Sequence, residues 1–208
     1  MNILESLNWR YAVREFSDRQ IETTTINELI EAVRLTPSSY GLQPYKLIVV
    51  SDEKTKEQLL AFSMGQTKVR DCSHLFILAA KTSLNDKFID EYFENLESKR
   101  ELKPDSTQGF KSHVKQVILN KSKPEQVSWS EQQAYIALGN LLTVAAAKRI
   151  DACPMGGFEP EGYNQVLGLN TLGLQATVIC ALGYRDNEDW SADAVKIRIS
   201  QNEFCVKV

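Results

Sequence analysis

Three short apolar runs, separated by segments of helical pattern, constrain the fold of this chain more than any other feature. They cover residues 46–51, 75–81 and 176–182. Continuous apolar runs of this length are typical of strands that are buried on both faces. The chain between them is largely helical in pattern, so we predict an α+β fold in which helices surround a small mixed or antiparallel sheet.

The longest helical pattern covers residues 129–149 and carries a wide apolar stripe of small side chains. The stripe comprises Ala134, Ala137, Leu138, Leu141, Leu142 and Ala145. A capping box, Ser128 with Glu131, predicts where this helix begins, and Thr25 with Glu28 predicts the start of another over residues 25–35. Such an alanine-rich face is expected at the centre of a core or of a dimer interface.

The 208 residues are sufficient for one domain, which we place at residues 1–208. Within it, a helical insert covers roughly residues 86–127, with two surface helices around Pro104 and a polar linker over residues 120–127. Residues 153–158 are predicted to form a glycine-rich turn. The chain ends in an alternating pattern over residues 204–208, a predicted strand without a sequential neighbour to pair with.

Composition excludes several classes of function. The net charge of −3 offers no basic footprint for nucleic acid, and no apolar run approaches the ~20 residues that span a bilayer. The four cysteines form no CxxC pair, and the two histidines share no metal-ligand spacing, so we expect no metal site. With no signal peptide visible, we expect a cytoplasmic protein without a membrane partner.

Two segments near the N-terminus carry the chemistry. Residues 10–16 hold Arg10 and Arg14, four apart, and residues 37–45 follow a helix stop with hydroxyl and amide side chains. Alone, the arginines would be a solvated surface pair and the second segment a helix–strand connector. Together they offer fixed positive charge and hydrogen-bonding groups, but no acid, base or nucleophile. This combination suits an anionic cofactor that supplies its own chemistry.

Five segments in register make the chain resemble the nitroreductase family of FMN-dependent NAD(P)H oxidoreductases. They are residues 10–16, residues 37–45, Lys68 through Asp71 and Ser73 to His74, residues 154–158, and Lys196 with Arg198. The resemblance covers essentially the whole chain. It implies the nitroreductase fold, with the C-terminal strand exchanged in a homodimer. It also implies ping-pong hydride transfer from NADH or NADPH to FMN, and on to a nitroaromatic, a quinone or another small acceptor.

The resemblance also assigns the cofactor site, in which no protein side chain is catalytic. Arg10, Lys196 and Arg198 would bind the FMN phosphate, and Arg14 and Lys68 would tune the flavin ring. The other positions carried over are Tyr11 and Ala12 beside the ribityl chain, Pro154, Met155, Gly156 and Gly157 behind the ring, and Pro37, Ser38, Ser39, Gly41 and Gln43 from the partner subunit. Tyr40, Phe110 and Trp129 are candidate walls of the substrate pocket.

The chain departs from the family pattern at several positions that bear on substrate range. Gly41 stands where many relatives carry Asn, and Tyr45 stands where they carry Trp. Gly156 replaces a Glu found in some relatives, and Gly65 replaces a common flavin-edge Asn, so that Gln66 or the backbone would contact the pyrimidine edge.

Other readings remain open at this stage. One is a specialised branch of the same fold, which degrades flavin or dehalogenates a substrate. A second is an FMN-binding sensor or storage protein without turnover, and a third is a helical scaffold dimer without a cofactor.

Overall fold

The computed structural model describes residues 2–208, which form nine helices and four strands. The helices are α1 (Ile3–Trp9), α2 (Thr23–Arg34), α3 (Glu53–Leu60), α4 (Lys68–Asp71), α5 (Asp86–Lys99), α6 (Gln108–Leu119), α7 (Lys123–Ala147), α8 (Pro160–Val166) and α9 (Gln201–Phe204). The strands are β1 (Tyr45–Val50), β2 (His74–Lys81), β3 (Asp151–Met155) and β4 (Leu174–Gly183).

The four strands form one antiparallel sheet in the order β1-β2-β4-β3. The three predicted strands are β1, β2 and β4, so the predicted α+β fold around a small sheet is confirmed. Strand β3 was not predicted. Residues Cys153 to Met155 were expected in a turn, but they pair with β4, where Cys153 lies opposite Ala181. Pro154 is tolerated there because β3 is an edge strand of this sheet.

Each face of the sheet is covered by a separate apolar cluster. Successive residues of β2 and β4 alternate between the two clusters, as the period-2 geometry of a strand requires, except at a bulge in β4, where Ala176 and Val178 belong to different clusters. The first cluster packs against α3 and α8, and the second packs against α2 and α7. The predicted stripe on α7 supplies the second cluster, and all its members except Leu142 are buried.

Helix α7 begins earlier than the sequence predicted. Its capping box is Ser122 with Glu125, not Ser128 with Glu131, and a proline follows in the first turn. Part of the predicted linker over residues 120–127 is therefore helical. The capping box predicted at Thr25 is also wrong, because α2 begins at Thr23 behind Glu22, which makes no side-chain cap.

The helices predicted for the insert are confirmed, but the strand predicted for the C-terminal tail is not formed. Helices α5 and α6 flank the turn that contains Pro104, as predicted, and bury a small cluster of their own. The strand expected over residues 204–208 is not formed, since Phe204 ends the one-turn helix α9 and the residues after it join no strand of the chain. No helix within residues 2–208 has the length and apolar character needed to cross a bilayer.

Candidate functional site

A cleft lies where the N-terminal arginine segment, the edge of the sheet and the C-terminal tail meet. Residues 10–16 leave α1 and run beside β3, with Ala12 bridging Ala152 and Phe16 bridging Arg185. Residues 190–198 return past the same segment. Between them is a cavity of about 640 Å³. Its lining includes Arg10, Tyr11, Ala12, Arg14, Pro154, Lys196 and Arg198, all predicted from the sequence to hold cofactor.

The cleft carries an unbalanced positive charge. Arg10, Arg14, Lys196 and Arg198 line it, and no carboxylate does so within the described part of the chain. The Arg10 Nε–H is buried and finds no hydrogen-bond partner among residues 2–208. Burial and the neighbouring Arg10 and Arg198 guanidiniums lower the pKa of Lys196. An orphaned donor among cations without counter-ions fits a phosphate-bearing ligand, which would supply the missing acceptors.

The two walls of the cleft are tied together beneath its surface. Lys196 Nζ donates to the carbonyl oxygens of Leu7 and Arg10, both at 2.5 Å. The Asp189 carboxylate, only 3% exposed, accepts hydrogen bonds from residues of both walls. Sequence reasoning missed Asp189. Its one local signal is the spacing Asp-x-Ser, since Asp189 accepts from the amide and hydroxyl of Ser191 in an Asx-type turn.

A second missed residue, Arg185, braces the arginine segment from behind. Its guanidinium pairs with the buried Asp151 carboxylate at 2.6 Å. It also lies 4.4 Å from the ring centroid of Trp9 and 4.5 Å from that of Tyr11. Burial raises the pKa of the Tyr11 phenol, which remains a donor and reaches Asp189 at 3.2 Å. Tyr11 is therefore held on both its ring face and its hydroxyl.

The loop after β3 lies at the end of the strand whose Pro154 lines the cleft. Met155 is buried, whereas Gly156 and Gly157 are exposed. The Gly157 carbonyl accepts from Gln66 Nε2 at 2.7 Å, which ties the loop to the segment before α4. Space remains at Gly156, where a Cβ would lie 4.0 Å from the Tyr135 hydroxyl.

Lys68 belongs to the same neighbourhood, although it does not line the cleft. Lys68 is buried at the start of α4. Burial raises the pKa of the Cys153 thiol in β3, and Lys68, Arg14 and Arg10 oppose that rise through their positive charge. The cations predicted beside the flavin therefore all act on Cys153, the residue next to Pro154.

The second predicted segment does not reach this cleft within one chain. The Ser38 hydroxyl accepts a hydrogen bond from the backbone N–H of Gln43 at 2.9 Å. The side-chain Nε2 of Gln43 donates to the backbone carbonyl of Arg34, at the end of α2, at 2.7 Å. The Ser39 amide donates to the side chain of Gln133 on α7 at 2.8 Å. The loop after Pro37 is thus rigidly held, with Tyr40 at a φ of 57°.

Gly41 in this loop is required by its surroundings. Its φ is +75°, and a Cβ built there would lie 2.4 Å from the Tyr92 hydroxyl on α5. An Asn tolerates this φ, but its Cβ would displace the Tyr92 hydroxyl, which is the far end of that side chain. The Tyr92 hydroxyl therefore occupies the space beside Gly41 into which a Cβ would project.

The three candidate pocket residues lie at the insert, beside this loop. The ring centroids of Tyr40 and Phe110 are 6.1 Å apart, and Tyr40 and Trp129 both pack against the buried apolar cluster of the insert. Phe110 is 49% exposed. The structure brings Tyr40 and Phe110 together, but none of the three residues lines the cationic cleft of the same chain.

An α+β fold with a cationic cleft at the edge of its sheet is typical of a protein that binds an anionic cofactor. The chain belongs to the Nitroreductase family, whose model matches residues 7–184. The predicted family is therefore confirmed.

Individual relatives agree with this assignment. YfkO of Bacillus subtilis, named as an NAD(P)H nitroreductase, is 31% identical over 195 residues, with 88% of each chain covered. A Staphylococcus saprophyticus protein of the same designation is 29% identical over 195 residues, with 89% of each chain covered.

Solved structures show the same fold. The nitroreductase ydfN of Bacillus subtilis superposes with a TM-score of 0.88 at 23% identity, covering 99% of this chain and 98% of its own. A nitroreductase of Exiguobacterium sibiricum, solved in complex with FMN, gives a TM-score of 0.84 at 18% identity and covers 100% and 98%.

Proposed function

We propose that this chain is an FMN-dependent NAD(P)H oxidoreductase of the nitroreductase, quinone reductase or flavin reductase type. The observation that carries the proposal is the cleft lined by four cations, with the buried and unpartnered Nε of Arg10 among them. The family membership and the NAD(P)H nitroreductase names of the relatives support the class of reaction. The FMN held by a protein of the same fold supports the cofactor.

In this proposal the side chains bind and orient the cofactor. Arg10, Lys196 and Arg198 hold the phosphate, and Arg14 and Lys68 place positive charge near the ring. A bound FMN would supply the redox chemistry, with NADH or NADPH as the hydride donor and a nitroaromatic, a quinone or another small molecule as the electron acceptor. The protein's part is to favour negative charge on the ring through its cations.

The titratable groups near the cleft agree with a site that provides no nucleophile of its own. Burial raises the pKa of Cys153 above its ordinary value, even with Lys68, Arg14 and Arg10 nearby. The thiol therefore stays protonated at neutral pH and is a poor nucleophile. Tyr11 is likewise protonated because burial raises its pKa.

We further propose that two copies form a homodimer in which the tail of each copy docks on the other. The tail exposes Ile197, Ile199, Phe204, Val206 and Val208, and each of these is at least 64% exposed. Strand β1 lies at an open edge of the sheet, where it can accept a further strand. Such an exchange would let residues 37–43 of one copy approach the cofactor of the other.

The first experiment is the visible spectrum of the purified protein before and after anaerobic addition of NADH or NADPH. We expect a flavin spectrum that is bleached by at least one of the two donors, and turnover with menadione or a nitrofuran. A flavin that neither donor bleaches would favour a storage or sensor role. A colourless protein that cannot be reconstituted with FMN would refute the proposal.

A second experiment tests the place of Arg14. We expect Arg14→Ala to lower the flavin midpoint potential by on the order of 30 mV, about 1.4 kcal/mol for a two-electron couple, and to slow reduction by NAD(P)H. Arg19→Ala is the matched control, because Arg19 stacks on Tyr184 at 3.8 Å and does not line the cleft. An unchanged potential and reduction rate in Arg14→Ala would contradict its position beside the ring.

A further inference from the structure

Asp189 connects the two walls of the cleft through a single buried carboxylate. Its Oδ2 accepts hydrogen bonds from the Arg14 amide at 2.9 Å, the Glu15 amide at 3.4 Å and the Tyr11 hydroxyl at 3.2 Å. Its Oδ1 accepts from the Ser191 amide at 2.9 Å and the Ser191 hydroxyl at 2.6 Å. One oxygen thus serves the arginine segment and the other serves the start of the tail.

The carboxylate is buried without a cationic partner. Asp189 is 3% exposed, and within residues 2–208 it forms no salt bridge. Burial on its own would raise the pKa of Asp189, but the hydrogen bonds from Ser191, Arg14 and Glu15 outweigh it and lower the pKa. The group is therefore an anion at neutral pH, and the side-chain hydrogen bonds that it accepts from the described residues all come from the two segments.

The two segments that Asp189 joins carry all four cations of the cleft. Arg10 and Arg14 belong to the first, and Lys196 and Arg198 belong to the second. Asp189 itself does not line the cleft, so it has no contact with a ligand there. The negative charge of Asp189 by itself disfavours a bound anion, so any help that it gives to anion binding acts through the separation and orientation of the two pairs of cations.

We propose that Asp189 is the positioning residue that makes this cleft select a phosphorylated flavin over the unphosphorylated one. Through these hydrogen bonds it fixes the segment that carries Arg10 against the segment that carries Lys196 and Arg198. This inference rests on the proposed function, because it takes FMN as the cofactor. A group that merely stabilised the fold would affect the affinity for both flavins alike.

The test compares the dissociation constants of FMN and riboflavin by flavin fluorescence titration of the stripped protein. In Asp189→Asn an amide NH2 replaces one oxygen and faces N–H donors that it cannot accept from. We expect the affinity for FMN to fall at least 10-fold, the loss of one charge-assisted contact, with riboflavin affinity changed less than about twofold.

The matched control is Asp186→Asn, which makes the same charge change in the same turn. Within the described residues, the Asp186 carboxylate accepts a hydrogen bond only from the Glu188 backbone amide, at 2.9 Å, and it does not line the cleft. We expect both dissociation constants to match those of the wild type. Ser191→Ala, which removes one donor to Asp189, is the milder variant to use if Asp189→Asn fails to fold, and it should show the same selective loss in smaller degree.

The outcomes separate this inference from the function on which it rests. Equal loss of FMN and riboflavin affinity in the Asp189 and Ser191 variants would overturn the positioning role, and so would unchanged affinity for both flavins. Either result, with a wild type that prefers FMN, leaves the proposed function standing. A wild type that binds neither flavin would refute the proposed function and this inference with it.

Discussion

Replacing Arg10 with methionine should stabilise the apoprotein and weaken FMN binding. The Arg10 Nε–H is buried without an acceptor, and Lys196 and Arg198 lie in the same cleft. Methionine keeps an unbranched side chain out to about the position of Nε, but it removes the orphaned donor and the charge repulsion. Among residues 2–208, the only side-chain hydrogen bond lost is from Arg10 Nη2 to the Tyr11 carbonyl, at 3.5 Å. That distance is too long for the bond to contribute much.

The magnitudes follow from those contacts. An unsatisfied buried donor costs about 1–3 kcal/mol, and we take the low end because the rest of the Arg10 side chain is partly exposed. A gain of about 1 kcal/mol would raise Tm by roughly 2–4 °C in a chain of this size. A charge-assisted hydrogen bond to phosphate contributes about 1.5–3 kcal/mol, so its loss should raise the FMN Kd about 10- to 150-fold.

Thermal unfolding with and without FMN measures both effects in one experiment. At a free FMN concentration of about 100 times Kd, the wild type gains about 2.7 kcal/mol from the ligand. A variant that binds about 100-fold more weakly gains only about 0.4 kcal/mol at that concentration. The order of the two Tm values should therefore reverse, with the variant higher in the stripped state and lower with FMN.

Arg100→Met is the control for this comparison. Arg100 is exposed at the C-terminal end of α5 and does not line the cleft, so its replacement should change stability by less than about 0.5 kcal/mol in either state. An Arg10→Met protein that is less stable without FMN and unchanged in its FMN affinity would refute the assignment of the orphaned donor to the phosphate.

Three further predictions concern other parts of the chain. Gly162→Ala should lower the free energy of unfolding by about 1–3 kcal/mol, because its Cβ would lie 2.1 Å from the Phe62 ring. Gly109→Ala, at a position with open space, should not lower it, and urea denaturation of the two variants measures the difference. Gly41→Ala should also destabilise the fold by about 1–3 kcal/mol through its φ of +75° and the Tyr92 hydroxyl at 2.4 Å, and by less in a Tyr92→Phe background. FMN affinity should be full at neutral pH and, as the pH is raised, should begin to fall before the pH reaches the ordinary lysine pKa of about 10.4, because the pKa of Lys196 is lowered. In the same titrations Lys196→Arg should remove that fall.

Elements whose pattern reflects their own burial could be predicted from the sequence. Strands β2 and β4 and the stripe on α7 are buried by direct apolar packing, so their residues show it without reference to the rest of the chain. Strand β3 could not be found this way, since Cys153 to Met155 contain no strand pattern and become a strand only through pairing with β4. The start of α7 was missed because two Ser-x-x-Glu patterns compete, and only one is at the helix end.

For the candidate site too, the residue types could be predicted from the sequence, but their arrangement in space could not. The residue types of Arg10 and Arg14, with the hydroxyl and amide side chains of residues 37–45, already indicated an anionic cofactor, and the resemblance to the nitroreductase family added Lys196 and Arg198. That these cations meet in one cleft depends on tertiary structure. Asp189 and Tyr11, 178 residues apart, meet only because β4 leads the tail back past the N-terminal segment. A hydrogen bond over such a separation leaves no periodic pattern, so the sequence determined the chemistry of the site and the fold alone decided its geometry.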